Sequence, residues 1–397
     1  MLRIVLSLLI IICICGTISP SFAQESPASP SREVRPLRGV QTFIPEISLD
    51  GLFSAAGFSD PNPLQFGAHD PNRRGFIVQN LELTLASNID PYFRGEAHFI
   101  FGLEKGESFI EVEETTMTTR ALPYGLQVTG GHFFTQFGRQ NPRHPHTWDF
   151  SDQTIVNTLM FGGDGLRNPG VQISALLPLP FYLEWMGSIQ NAEGETATSF
   201  LFTKDEEFAG RKMLDRAVKS PRDLLYLGRI KTGLDISETV SFVGGVSTLL
   251  GPNGTGENST TRIHGIDLFV KWKPLTADHG WPFVTLQAEA MHRTYEAGEG
   301  ALGEVFKNEG SYIQSLYGFK RQWVAGVRYE HADATDPFDP RTGKRERVSS
   351  NLTFYPSEFS KIRLQYNHDK SDERDKPIHA LFVQYEFLMG AHGAHTF

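Results

Sequence analysis

At 397 residues with a formal net charge of −9, the chain lacks the basic excess that nucleic-acid binding requires, so no nucleic-acid partner is expected. Its two cysteines, Cys13 and Cys15, sit in the first apolar run, which removes disulfide frameworks, thiolate-held zinc, iron–sulfur clusters and cysteine nucleophiles from everything downstream. The 30 phenylalanines and 38 glycines suit an extended, sheet-rich fold better than a helical enzyme.

Taken in chain order, residues 1–23 read as a secretory signal peptide. Arg3 supplies the basic start, residues 4–15 are apolar apart from Ser7 and Cys13, and Ser21-Phe22-Ala23 offers small residues where a signal peptidase cuts. The apolar run is shorter than the roughly 20 residues of a spanning helix. Ile12 and Ile14 precede the two cysteines, which rules out a lipoprotein site. Residues 24–43 are expected to form a short periplasmic segment and 44–397 the folded body.

Within that body the apolar period is two. Phe93, Gly95, Ala97, Phe99 and Phe101 share one face, and Arg94, Glu96 and His98 share the other. Ile266, Leu268, Val270 and Trp272 oppose Asp267, Lys271 and Lys273, and Val284, Leu286, Ala288 and Ala290 oppose Thr285, Gln287, Glu289 and Arg293. A helix would scatter these charges around its circumference. Such segments begin near 44–54, 76–87, 92–102, 108–117, 124–135, 167–177, 181–191 and 224–236. They continue near 239–249, 262–273, 282–293, 311–319, 322–332, 346–356, 360–369 and 378–388, which makes about sixteen, an even number as bacterial barrels have.

The connections alternate in length. Residues 88–91, 178–180, 237–238, 320–321 and 357–359 are short; 55–75, 136–166, 192–223 and 294–310 are long. Short periplasmic turns against long external loops mark a transmembrane barrel, and a water-soluble sandwich has no reason for that asymmetry. The fold expected is therefore all-β: a single closed antiparallel transmembrane β-barrel in the cell outer membrane. In lipid only such closure satisfies every backbone group of a strand. Charged inner positions then imply a water-filled lumen. Residues 208–225 depart from the period and read either as a short helix or as an irregular excursion in the fourth external loop.

The candidate lumen lining is Arg94, Glu96, His98, Glu111, Glu113, Arg229, Lys231, Lys271, Lys273, Glu289, Arg293 and Arg328. With both signs present, pairing across strands explains the charges more simply than ion selectivity does. The third external loop, 136–166, carries HPHTWDF at 144–150. Its bland reading is a constriction loop, with His144, His146, Trp148 and Asp149 among its residues, that turns into the lumen and packs Trp148 and Phe150 against the wall. Its sharper reading is a metal site of His144, His146 and Asp149, since two imidazoles and a carboxylate suit zinc or copper. No cofactor other than zinc is suggested. A second histidine pair, His392 and His395, lies at the other rim. His144 with Asp149 or Asp152 is the one acid–base candidate, and no serine is placed to make a persuasive nucleophile with it, so no enzyme is expected.

Over most of its mature length this architecture resembles general and phosphate-selective bacterial porins. Two motifs, Asn141-Pro142-Arg143-His144-Pro145-His146 and the tail Gly390-Ala391-His392-Gly393-Ala394-His395, resemble those of uncharacterised outer-membrane barrels, some of them labelled zinc-regulated receptors. The chain departs from true plugged receptors of about 22 strands in its strand number and in the absence of a plug. The resemblance implies a porin-like channel for passive diffusion of small hydrophilic solutes or ions. The alternatives are a metal-linked receptor or transporter using His144 and His146, and a plugged structural or adhesive barrel. Expected partners are outer-membrane lipid and lipopolysaccharide, the small solutes, and the barrel assembly machinery through the last strand and Phe397; the porin likeness adds a homotrimer.

Overall fold

A computed structural model of the chain describes residues 45–390 apart from 105, 203–205 and 215. The expected signal peptide, the 24–43 segment, His392, His395 and Phe397 lie outside the described residues. Residues 42–177 and 181–397 form one compact unit; of the other, 1–41 with 178–180, only 178–180 is described, as irregular chain.

The described strands are β1 (Glu46–Phe58), β2 (Gly75–Asn88), β3 (Phe93–Glu104), β4 (Glu107–Thr119), β5 (Leu126–Phe134), β6 (Arg167–Leu176), β7 (Tyr182–Asn191), β8 (Glu207–Phe208) and β9 (Arg211–Lys212). They continue as β10 (Leu224–Ser237), β11 (Val240–Pro252), β12 (Thr260–Trp272), β13 (Phe283–Ala297), β14 (Glu304–Lys320), β15 (Trp323–Ala332), β16 (Arg345–Ser357), β17 (Ser360–Ser371) and β18 (Ile378–Gly390). All but β8 and β9 close one antiparallel barrel of sixteen strands, each beside its neighbour in the chain, with β1 sealed to β18 from Ser48↔Gly390 to Phe58↔Ala380. Both ends of the barrel sheet thus lie at the short-turn rim.

Period-two sequence makes one face apolar and leaves it exposed. Ile230, Val246, Ile266, Val327, Val348, Leu364, Leu381 and Val383 point outward around the circumference. Tyr182, Trp272, Tyr317, Phe319 and Phe359 sit near the short turns. Such a belt with an aromatic rim is met by lipid, and the protein is an outer-membrane barrel.

The structure corrects one expected element and decides another. Residues 294–310 are not a long loop: β13 runs on to 297 and β14 starts at 304, pairing Tyr295 with Phe306 and leaving 298–303 as the connection. The alternation of Thr294, Tyr295 and Glu296 continues the strand, and Phe208 stacks on Tyr295 at 3.8 Å between ring centroids. Of the two readings left open for residues 208–225, the short α-helix fails among the described residues. Ala209 (φ 53) and Gly210 (φ 74) form a two-residue turn that folds β8 onto β9, and Ser220 and Asp223 cap a short 3-10 turn before β10. Local helical propensity loses there to the ring contacts of Phe208.

The expected water-filled lumen also needs correction in its external half. There the inner face meets protein. Ile155, Val156, Leu159, Met160 and Phe161 of the third loop pack with Phe200 and Leu201 of the fourth against Leu227, Leu249, Ile263, Met291 and Ala332 of the wall. Alternation tells which side chains face inward; it says nothing about what a long loop then lays over them.

Candidate functional site

The third external loop, 135–166, runs across the inside of the barrel. Its one helix, α1 (Ile155–Phe161), is buried on every side. Thr154 precedes it without a side-chain cap. Instead Glu330 of β15 accepts the Ile155 N–H at 2.8 Å, and Gly162 (φ 82) ends the helix. Burying the five large apolar side chains of α1 is worth about 1.5–3 kcal/mol each. Ordering seven residues costs about 1–2 kcal/mol each. The two nearly cancel, so polar clasps decide whether the loop stays docked.

One clasp is on β15, β16 and β17. Asp152 accepts from Arg328 at 2.6 Å, Gln365 at 2.8 Å and Asn367 at 2.6 Å, and lies 2.9 Å from the Arg347 guanidinium. Arg347 also donates to the Gln153 carbonyl, Arg363 to the Trp148 carbonyl and Lys361 to the His146 carbonyl. Burial pushes the Asp152 carboxyl up, but Arg347 and Arg328 more than reverse this and hold it at about 2. From the first loop, Asp70 accepts the Gln153 N–H at 2.7 Å. Burial first, then the neighbouring charge of Asp152, push Asp70 up to about 6.

The opposite clasp is on β2, β3 and β4, and its sign is inverted. Here the wall supplies carboxylates and the loop supplies imidazoles. His144 Nδ1 lies 3.3 Å from Glu82 Oε1 and 2.8 Å from Glu113 Oε2, while its Nε2 lies 2.9 Å from Glu114 Oε2. His98 Nδ1 lies 2.8 Å from the same Glu82 oxygen, and its Nε2 lies 3.2 Å from Glu96. His146 Nδ1 meets the other Glu82 oxygen at 3.1 Å. Burial favours the neutral imidazole of His144, yet Glu82 and Glu113 overcome it and hold its pKa well above the ordinary value. For His146 burial prevails over Glu82, and its pKa is lowered.

A β-bulge builds this cluster. The β3–β4 register shifts between His98 and Phe99, so that Glu114 pairs with His98 and Val112 with Phe99, leaving Glu113 as the extra residue. Two consecutive carboxylates then face inward, which strict alternation forbids.

The predicted lining residues divide. Arg94, Glu96, Glu111 and Lys231 face inward and stay about a third or more exposed. Lys271 faces inward with its ammonium 5.7 Å from the Phe283 ring, and Lys273 lies beyond the end of β12, exposed at the rim. Arg229, Glu289, Arg293 and Arg328 face inward but are buried rather than wetted. Arg229 pairs with Asp267; Glu289 accepts from Tyr312 at 2.6 Å and from the Arg139 N–H at 3.1 Å; Arg293 donates to the Leu159 carbonyl. Gly138 (φ 61) sits so close to Glu289 that a Cβ would strike its carboxylate. His98 and Glu113 are buried in the cluster just described.

Of the predicted metal set, His144 and His146 come together with rings 5.7 Å apart, but Asp149 does not join them. Its carboxylate accepts from Arg143 at 3.1 Å and Gln314 at 2.8 Å, and burial notwithstanding, Arg143 lowers its pKa. Trp148 is buried, donating to the Arg143 carbonyl. Sequence reasoning missed Glu82, Glu114, Asp152 as a clasp, and α1. For α1 a signal existed: Asp152-Gln153-Thr154 before an apolar run and Gly162-Gly163 after it are start and stop marks.

No family model matches the chain. An uncharacterized protein of Aquifex aeolicus (strain VF5) is 31% identical, over 90% of this chain and 81% of the relative. The chain belongs to the family of that protein. Among solved structures, the outer membrane channel DcaP of Acinetobacter baumannii superposes with a TM-score of 0.56 at 11% identity, over 87% of this chain and 97% of the channel. An anion-selective porin from Comamonas acidovorans gives 0.54 at 9%, over 87% and 100%, and OprB of Pseudomonas putida 0.51 at 10%, over 87% and 94%. At these identities the likeness is one of fold. The chain has the sixteen-stranded porin-like barrel of outer-membrane proteins.

Proposed function

We propose that the protein is a porin-like channel through which small hydrophilic solutes or ions diffuse passively, with loop 136–166 setting the narrowest passage. The observation that carries the reading is the position of that loop: it is fastened inside the barrel to β2, β13, β15, β16 and β17, beside the half-exposed polar wall of Arg94, Glu96 and Lys231. Passage needs position and charge alone, so the barrel performs no chemical step. Its apolar belt contacts membrane lipid and lipopolysaccharide, its last strand and Phe397 address the assembly machinery, and like many porins it associates as a homotrimer.

Deleting residues 139–150 is the test. In planar bilayers the deletion should raise single-channel conductance, and in liposomes it should speed swelling by sugars excluded from the wild type. Unchanged conductance would sink the constriction; no flux through either form would leave a closed structural barrel.

A further inference from the structure

We infer that Glu82, His98, Glu113 and His144 form a site for one divalent transition metal ion of the zinc class, which clips the third loop to the barrel wall. Three of these residues come from adjacent strands, β2, β3 and β4, and the fourth from the loop. The site stands apart from the channel reading, since the ion binds whether or not solute passes.

Spacing is the first argument. Ligand atoms of Glu82, His98 and His144 lie within 4.8 Å of one another. The successive separations are 2.8 Å from His98 Nδ1 to Glu82 Oε1, 3.3 Å from there to His144 Nδ1, and 2.8 Å on to Glu113 Oε2. Around a tetrahedral ion with bonds of about 2.0–2.1 Å, ligand atoms sit roughly 3.3 Å apart. These neighbouring separations lie within about 0.5 Å of that spacing, and Glu113, in contact with His144, closes further on Glu82 and His98 when the ion binds.

Ring orientation is the second. Each imidazole turns its outer nitrogen to a carboxylate, His98 Nε2 to Glu96 at 3.2 Å and His144 Nε2 to Glu114 at 2.9 Å. This leaves both Nδ1 atoms aimed at the same place. Histidine ligands are held in this way by a second carboxylate, which fixes tautomer and ring plane. His146, on the other Glu82 oxygen, orients that carboxylate in turn.

Charge is the third. Glu82 and Glu113 are each 1% exposed, and among the described residues neither Glu113 oxygen has an aligned hydrogen-bond donor. Buried carboxylates at this density call for a cation. Two imidazoles and two carboxylates favour zinc, cobalt or nickel over calcium, which takes six to eight oxygens.

The test uses the purified full-length barrel in detergent, titrated with Co²⁺ by visible absorption and with Zn²⁺ by calorimetry. One Co²⁺ per chain with the intense bands of a four-coordinate ion, displaced by Zn²⁺, is expected. His98→Asn and Glu82→Gln should each weaken binding by at least about tenfold, comparable to losing a supporting residue or more. Asp149→Asn should leave it unchanged, and so should His392→Ala/His395→Ala. Binding lost with the tail histidines but kept in His98→Asn would overturn the site, as would absence of a stoichiometric ion in the wild type. X-ray absorption of the wild-type Zn²⁺ complex needs no variant to fold: two imidazoles in the first sphere support the site, and one or none refutes it.

Discussion

The two walls that hold the third loop use opposite charge. On β15–β17 the wall is cationic, and Arg328, Arg347, Arg363 and Lys361 take the Asp152 carboxylate and four backbone carbonyls of the loop. On β2–β4 it is anionic, and Glu82, Glu113 and Glu114 take His144 and His146. Guanidinium groups keep their charge at any physiological pH, so the first clasp is permanent. Imidazoles exchange protons and bind metals, so the second is adjustable. A loop fastened once rigidly and once adjustably can alter its position at one end without leaving the barrel.

The largest effect should come from the permanent clasp. In Asp152→Ala, Arg328 and Arg347 stay buried with one partner fewer; breaking a buried pair from one side costs about 3–5 kcal/mol. The carboxylate left beside them, Glu330, already accepts from Arg347 and from the Ile155 N–H. We expect the loop to undock, conductance to rise several-fold in planar bilayers, and protease to cut between 139 and 166. If Asp152→Ala conducts as the wild type does, this clasp does not hold the loop.

Next comes the apolar contact between the clasps. Leu159 and Val156 are fully enclosed, and Val156 lies against Gly310 of β14. Leu159→Ala should cost about 2–5 kcal/mol of docking energy. Because burial and ordering nearly cancel for α1, even the lower figure should give visible loop opening as current noise. A quiet trace at wild-type conductance would show that the clasps alone suffice.

The barrel was legible in the sequence because its signals are local. Alternation along ten residues and the length of each connection need no knowledge of distant partners, and the sixteen strands fall where Phe93–Phe101 or Val284–Ala290 say they should. What the loop touches was not legible, because Asp152 and Arg347 are nearly two hundred positions apart. The same holds for Glu82: its inward face follows from alternation, but nothing nearby announces three imidazoles. The bulge at Glu113 erased the period at the one place where two carboxylates were needed. The inner charges Arg293 and Glu289 were read as wetted because a charged strand face in a barrel normally is; here a loop whose own sequence is apolar at 155–161 covers that wall.

Acid should sharpen the contrast. The docked Asp152 carboxyl titrates at about 2, below its ordinary value of 3.8, so its contribution is intact above that value and is lost only as pH falls through about 2. Asp70 is shifted the other way, to about 6, so the docked state takes up a proton before the free loop does. Its contribution is present below its ordinary value and lost as pH rises through about 6. Going from pH 7 to pH 5 should therefore tighten the contact between the first and third loops and lower conductance slightly, and only below about pH 3 should the channel open. Asp70→Asn should remove the change between pH 7 and 5 while leaving the acid opening in place. An opening at pH 5 in both proteins would assign the acid response to groups other than these two aspartates.

The smallest effect is expected at Glu114, and it separates charge from hydrogen bonding on the anionic wall. Its carboxylate faces His144 Nε2 at 2.9 Å and accepts the Phe134 N–H at 2.8 Å, and it is the most exposed of the three carboxylates around that ring. Glu114→Gln removes the charge and keeps an acceptor oxygen for one of these two donors. Solvent screens that charge, and Glu82 and Glu113 remain beside Nδ1, so the loss should stay within about 1 kcal/mol. The docking equilibrium should shift by no more than about fivefold, since 1.4 kcal/mol corresponds to tenfold in an equilibrium constant, and conductance should change by less than in Asp152→Ala. Glu113→Gln, 1% exposed and set against Nδ1, should disturb the loop more. If the two variants behave alike, the ring is held by net charge in the pocket rather than by the carboxylate that each nitrogen faces, and the division of labour between the outer and inner nitrogens of His144 would have to be given up.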